Sequence, residues 1–240
     1  MSDPLRPESG RSMAIAAMLL ATTMAMAPLP AAETRRDAAS AGLVGADADV
    51  DWVLARIARP APARTPFLEL RDSPLLKAPL RVQGEYRREA DDALVREVSS
   101  PYPETTTIAE GTVRIERAGR SPRSFAMSRA PELAALQASF GALLAGDRAR
   151  LERHYRVEVD GSRRAWTLVL TPRDASLAAQ VASVTLYGRG AELRCIESAP
   201  ADGRVQRSLL AGAVVDADGV DDPVALAALC RGADVAADAR

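Results

Sequence analysis

The segment Ala165–Arg173 reads Ala-Trp-Thr-Leu-Val-Leu-Thr-Pro-Arg, so that Trp166, Leu168 and Leu170 alternate with Thr167, Val169 and Thr171. Period-two alternation of this kind, rich in Trp, Thr, Val and Leu, predicts a β-strand with one buried face. Pro172 has no N–H for a ladder, and the strand is expected to stop there. Val184–Gly188, Glu192–Ser198 and Arg204–Leu210 follow as further strands, separated by Gly188–Gly190 and Ala201–Gly203. Connections this short build an antiparallel meander rather than parallel βαβ units. Upstream, the same character marks Phe67–Arg71, the alternating Leu80, Val82 and Tyr86, Leu94–Ser99, Glu104–Ile108, Thr112–Glu116, Ser124–Ser128 and Tyr155–Asp160. Turn-forming Pro and Gly pairs punctuate them. The pattern predicts a curved antiparallel sheet, of sandwich or barrel type, with an apolar inner face.

Helical periodicity interrupts this meander. Pro131–Ala145 places Leu133, Leu136, Phe140 and Leu143 on one face, with Pro131 at the first helical position and Gly146 as the terminator. Asp147 caps a second short helix with Leu151 facing inward. Asp51–Ala58 is a short helix capped by Asp49 or Asp51, and Pro60, Pro62 and Pro66 break the chain after it. Asp174–Val181 reads as one more helical crossing. An amphipathic helix inside a meander must lay its apolar stripe on something, and the inner face of the sheet is the partner at hand. Leu133, Leu136 and Phe140 are therefore lid candidates. Tyr86, Leu94, Val113, Ile115, Trp166, Leu168, Leu170, Val184 and Leu186 are the candidates for the wall beneath. A dry, filled core would show the same alternation, so pattern alone does not separate a cavity from a packed interior.

Composition narrows the function classes. The formal net charge is −1, which gives no electrostatic case for nucleic acid. Arginine dominates the cations, Lys77 being the only lysine, as a biased base composition would give. His154 is the only histidine and lies in the charged run Arg153–Arg156, and no nucleophile elbow accompanies it. No Cys-x-x-Cys or His-x-x-x-His spacing exists for zinc. The expectation is a protein without catalysis, metal or cofactor. Cys195 and Cys230 read either as one buried and one exposed thiol or, in an oxidising compartment, as a disulfide.

The termini differ from the middle. Residues 1–32 have the form of an export signal, with an apolar Met13–Met26 and cleavage after Ala27 or Ala32. Residues 33–49 are rich in Ala, Gly and Asp and are expected to be a disordered linker. Beyond Gly212, Asp216, Asp218, Asp221, Asp222, Asp234 and Asp238 face only Arg231 and Arg240. Residues 213–240 are thus expected to form an acidic, mostly disordered tail, with a helical turn or two over Val224–Arg231.

The residues carry a resemblance. A leading helix is followed by Phe67 in the first strand, Gly84-Glu85 in the second, Pro103-Glu104 with Gly111, a helical insert, Trp166–Arg173, Gly190 and Asp202-Gly203. Over Val50 to Gly212 this resembles the periplasmic outer-membrane lipoprotein carrier family, LolA-like, and in particular its divergent members of aryl polyene lipid gene clusters. The resemblance implies an unclosed antiparallel β-barrel, a half-barrel, mainly β with α, whose helical lid covers an apolar cavity. It implies a monomeric periplasmic carrier of lipoprotein or lipid acyl chains, loaded by an inner-membrane exporter and unloaded at an outer-membrane acceptor. Family members carry a basic residue followed by proline a few residues beyond the Gly84 position, where the arginine latches the lid. Here Ala90-Asp91 stands there and Arg87 and Arg88 are out of register, so the latch is not carried over. A carrier needs aliphatic walls and a closing lid, since each CH₂ left in water costs about 0.8 kcal/mol. The competing reading is a non-catalytic accessory subunit of an envelope lipid export assembly, with a packed interior and an exposed patch.

Overall fold

The computed structural model describes residues 46–71, 80–90, 93–129, 140–201 and 205–232. The export signal, the linker up to residue 45, the loop Ser73–Pro79, the lid candidates Leu133 and Leu136, Asp202-Gly203 and the tail beyond residue 232 lie outside the described residues.

Eleven strands form one antiparallel sheet: β1 (Ala63–Arg71), β2 (Leu80–Ala90), β3 (Ala93–Ser100), β4 (Glu104–Ala109), β5 (Thr112–Arg117), β6 (Arg123–Ala126), β7 (Tyr155–Ser162), β8 (Ala165–Pro172), β9 (Val181–Arg189), β10 (Glu192–Pro200) and β11 (Gln206–Leu210). Their order is β6-β5-β4-β3-β2-β1-β11-β10-β9-β8-β7, with β6 and β7 at the two ends. The sheet is therefore open, as the half-barrel expectation requires. Two meanders, β1–β6 and β7–β11, meet where β1 pairs with β11, in register Phe67 to Leu210 and Glu69 to Ser208. The alternating segments all became strands. Pro66 is tolerated inside β1 because its carbonyl accepts from Ala211 while its missing N–H falls where the β11 ladder has ended. Ser124–Ser128 stops as a strand at Ala126 and continues as a 3₁₀ turn, Met127–Arg129.

Helices close both faces. α1 (Val50–Ile57) starts at Asp49, whose side chain accepts from the Trp52 N–H at 2.8 Å. Residues 140–145 are helical, here α2, and Gly146 ends the helix at φ 69°. α3 (Arg148–Glu152) is capped by Asp147 and α4 (Ala175–Ala178) by Asp174. α1, α2 and α3 lie on the inner face of β7–β9, where Val53, Leu54, Leu143 and Leu151 pack with Trp166, Leu168 and Leu186 into one cluster.

The expectation of a mostly disordered tail from residue 213 is corrected as far as residue 232. α5 (Gly212–Asp216) and α6 (Pro223–Cys230) form a pad on the outer face of β1, β11 and β10. Ala213, Ala217, Leu226 and Leu229 bury Leu68 and Leu209 there. Cys195 and Cys230 are disulfide-bonded with Cα atoms 5.1 Å apart, and both are buried, which replaces the picture of one exposed thiol. The acidic residues misled because they lie on the pad's solvent side. Asp222 also caps α6, and Asp216 pairs with Arg194.

Candidate functional site

Strand register decides which side chains meet on the inner face. Following the pairs outward from Phe67 puts Tyr86 on that face in β2, Leu94 in β3, and Val113 and Ile115 in β5. In the other direction it puts Ile196 there in β10, Leu186 and Val184 in β9, and Leu168, Leu170 and Trp166 in β8. Every wall candidate therefore shares one face. They do not share one environment. Trp166, Leu168, Leu170, Val184 and Leu186 are sealed in the packed cluster under α1–α3. Trp166 lies flat over Gly188, where any Cβ would strike its indole, and its Nε1 donates to the Gly190 carbonyl at 3.0 Å. Val113 is buried and Ile115 half-buried on β5, and neither is among the described residues that line the cavity below. Trp52 lies against the packed cluster, with Arg56 and Arg163 each 5.5 Å from its ring.

Tyr86, Leu94 and Phe140 do line a cavity, of about 380 Å³. Its walls come from the inner faces of β1, β2, β3, β10 and β11, and its roof from Ile57 and the α2 residues Phe140, Leu143 and Leu144. Aliphatic side chains line much of it, among them Leu94, Leu193, Ile196 and Leu210. Arg88, 6% exposed, faces the roofed end from β2. Its guanidinium donates to the carbonyls of Arg59, just past α1, and of Leu144, in α2, and the Arg59 N–H also donates to Leu144. Carbonyls at helix ends carry partial negative charge, so one arginine pins two helices to the sheet. The register argument in sequence missed this role; reach from β2 to the ends of two covering helices, rather than alignment with a following proline, supplies it.

The other end is charged. Glu69, 8% exposed, accepts at Oε2 from Arg71 Nε (3.1 Å) and Nη2 (2.9 Å) and from Arg96 Nη2 (2.9 Å). At Oε1 it accepts from Tyr86 Oη (3.2 Å) and Ser208 Oγ (3.0 Å). Arg96 stacks 4.6 Å from the Phe67 ring, and Phe67 stacks on Tyr86. Burial, reinforced by the Glu69 charge, pushes the Tyr86 hydroxyl up to about 12, so it stays a neutral donor. Burial presses on Arg96 in the discharging direction, but Glu69 and Tyr86 outweigh it and hold the guanidinium above its ordinary value. None of Glu69, Arg71, Arg96 or Ser208 was a candidate from sequence. The available signal was parity: Glu69 and Arg71 alternate in phase with inward Phe67, and Arg96 with inward Leu94.

The family model described as outer membrane lipoprotein carrier protein LolA-like matches residues 39–233. The chain belongs to this family. The match runs past Gly212 and takes in both helices of the outer pad. Among solved structures, a LolA superfamily protein from Nitrosomonas europaea is 15% identical, with a TM-score of 0.35 over 66% of this chain and 74% of that one. LprF from Mycobacterium bovis is 12% identical, with a TM-score of 0.31 over 70% of this chain and 94% of that one. No curated protein matches the sequence. In this LolA-like protein no helix among the described residues is long and apolar enough to cross a membrane. The described residues also hold no cluster of three or more His, Cys, Asp or Glu side chains placed to bind a metal ion.

Proposed function

We propose that the protein is a periplasmic carrier that takes acyl chains of a lipoprotein, or of a glycolipid or aryl-polyene-type lipid, into this cavity and moves them toward the outer membrane. Membership of the LolA-like carrier family supports the class. The observation that carries the reading is the cavity of about 380 Å³ under α1 and α2, roofed by Phe140, Leu143 and Leu144. That volume is near the low end of ligand sites, roughly 300–1,000 Å³, which suits one acyl chain better than several. Arg88 fits the part of a latch, since releasing two carbonyls would free both roofing helices. Leu133 and Leu136 would extend the lid by their helical phase with Phe140. The Cys195–Cys230 disulfide suits an oxidising compartment such as the periplasm. The reading includes no catalytic step; donor and acceptor would be membrane assemblies that exchange lipid with an opened roof. The accessory-subunit reading is favoured by the packed interior under β7–β9, and the cavity weighs against it.

Native mass spectrometry of protein purified from the periplasm tests this. A co-purified species with the mass of a single-chain or acylated lipid is expected, released when Phe140→Glu sets a carboxylate in the roof. A ligand-free protein that also takes up no added lipid would refute it.

A further inference from the structure

The charged end of the cavity has more donor capacity than its own acceptor absorbs. Glu69 receives five hydrogen bonds, against roughly four acceptor sites on a carboxylate, so it has nothing left for a ligand's donor. Arg71 and Arg96 each carry five N–H groups, and only three bonds go from the pair to Glu69. Among the described residues, one carboxylate against two guanidiniums leaves this cluster at +1. Among the described residues the lining is skewed the same way, with Arg59, Arg71, Arg88 and Arg96 against Glu69 and Glu192. Stability alone does not ask for this arrangement, because a buried ion pair is commonly no better than an apolar replacement of the same shape.

Geometry gives the charge a direction. Ala63 and Arg71 both line the cavity from β1, and eight residues of strand span roughly 27 Å. At the Ala63 end the space runs under Ile57, Leu143 and Leu144. At the Arg71 end it reaches solvent, since the Arg71 side chain is 49% exposed and Gln206 is exposed beside it. Between them, Arg96 is 17% exposed and Glu69 lies at its side.

Building on the carrier reading, we infer that the Glu69–Arg71–Arg96 cluster is a headgroup site for an anionic single-chain lipid. The chain lies under Leu143 and Leu144, and a carboxylate or phosphate monoester sits at the Arg71 mouth. Both head chemistries are acceptors that guanidinium binds bidentately. A neutral ester offers acceptors without charge, and a quaternary ammonium meets the site's own charge.

Isothermal titration with dodecanoate, dodecyl phosphate, methyl dodecanoate and dodecyltrimethylammonium, all below micelle formation, tests this. Dodecanoate or dodecyl phosphate is expected to bind about tenfold or more tighter than the neutral ester and the cation. Comparison of the two anions then decides between carboxylate and phosphate. Arg71→Ala brings the cluster to zero charge without emptying the core and should reduce the preference to about threefold or less. Glu69→Gln raises it to +2 and should strengthen binding of the anions while leaving the ester unchanged. That rise separates a headgroup site from a structural ion pair, whose loss would weaken all ligands or none. Equal affinities for the four heads, a preference for the cation, or weaker anion binding by Glu69→Gln would each overturn the headgroup site and leave the carrier reading standing. Failure of every ligand to bind would overturn both.

Discussion

One sheet serves two arms that look alike in sequence and differ in what covers them. On β8 and β9, buried residues alternate with partly exposed ones, and only the inner face is dry, filled by α1, α2 and α3. On β1, Phe67, Leu68 and Glu69 are buried consecutively, and on β11 so are Leu209 and Leu210. Here the inner face borders the cavity and the outer face carries the α5–α6 pad. A strand that borders a void forfeits the contacts of that side. The hollow arm therefore takes its packing from behind, and the disulfide fastens that backing to β10. A cavity can be kept open without unfolding the strands around it because the second core lies on the opposite face.

The strongest test of the filled arm is Trp166→Ala. Trp166 is 3% exposed and rests on Gly188, so truncation leaves a void bounded by backbone that cannot collapse. A loss of about 3–5 kcal/mol in denaturant unfolding is expected, as for large aromatic deletions in cores. A loss under about 1 kcal/mol would mean the filled arm is not packed as described.

The backing of the hollow arm is tested by reduction. Cys195 and Cys230 are 35 residues apart in sequence, and a closed loop of that length is worth about 3–4 kcal/mol through the unfolded chain. The Cys195→Ala/Cys230→Ala double variant, or the reduced protein, should lose stability by that order. Cleavage by protease should begin in the pad, after Val215 or Val224, each 75% exposed. Simultaneous exposure of β7–β9 would mean that the two arms share one core.

The same contrast explains what was readable in advance. Alternation located the strands and put every wall candidate on one face of the sheet, because side-chain parity is a local property. It could not say which candidates face a cavity, since that depends on helices from distant parts of the chain: α1 and α3 cover Trp166 and Leu168, and among the described residues nothing equivalent fills the space before Tyr86 and Leu94. The pad was missed for a compositional reason. Ala213, Ala217 and the Ala-rich α6 bury small side chains between acidic residues, so the segment reads as solvated although its backbone packs closely on Leu68 and Leu209. Glu69 and Arg96 were legible in phase but were not candidates, because a charged side chain in an inward-facing pattern is rarely buried unless paired, and its partners come from other strands.

The smallest expected change in stability gives the sharpest distinction between the arms. Thr65 on β1 lines the cavity and pairs across from Tyr86, between the roofed and the charged ends. Thr65→Phe would put an aromatic ring into the space. In a filled core such an enlargement costs about 1–3 kcal/mol through strain. In a true cavity the ring displaces nothing but solvent or lipid and gains contacts, so stability should rise by about 1 kcal/mol. The same ring occupies the path of an acyl chain, so uptake of dodecanoate should fall about tenfold or more. A variant that is more stable and no longer binds would show that the hollow is maintained against a readily available stabilising substitution, as a binding site requires. A less stable variant would place Thr65 in packed interior, and unchanged uptake would move the acyl path elsewhere on the inner face.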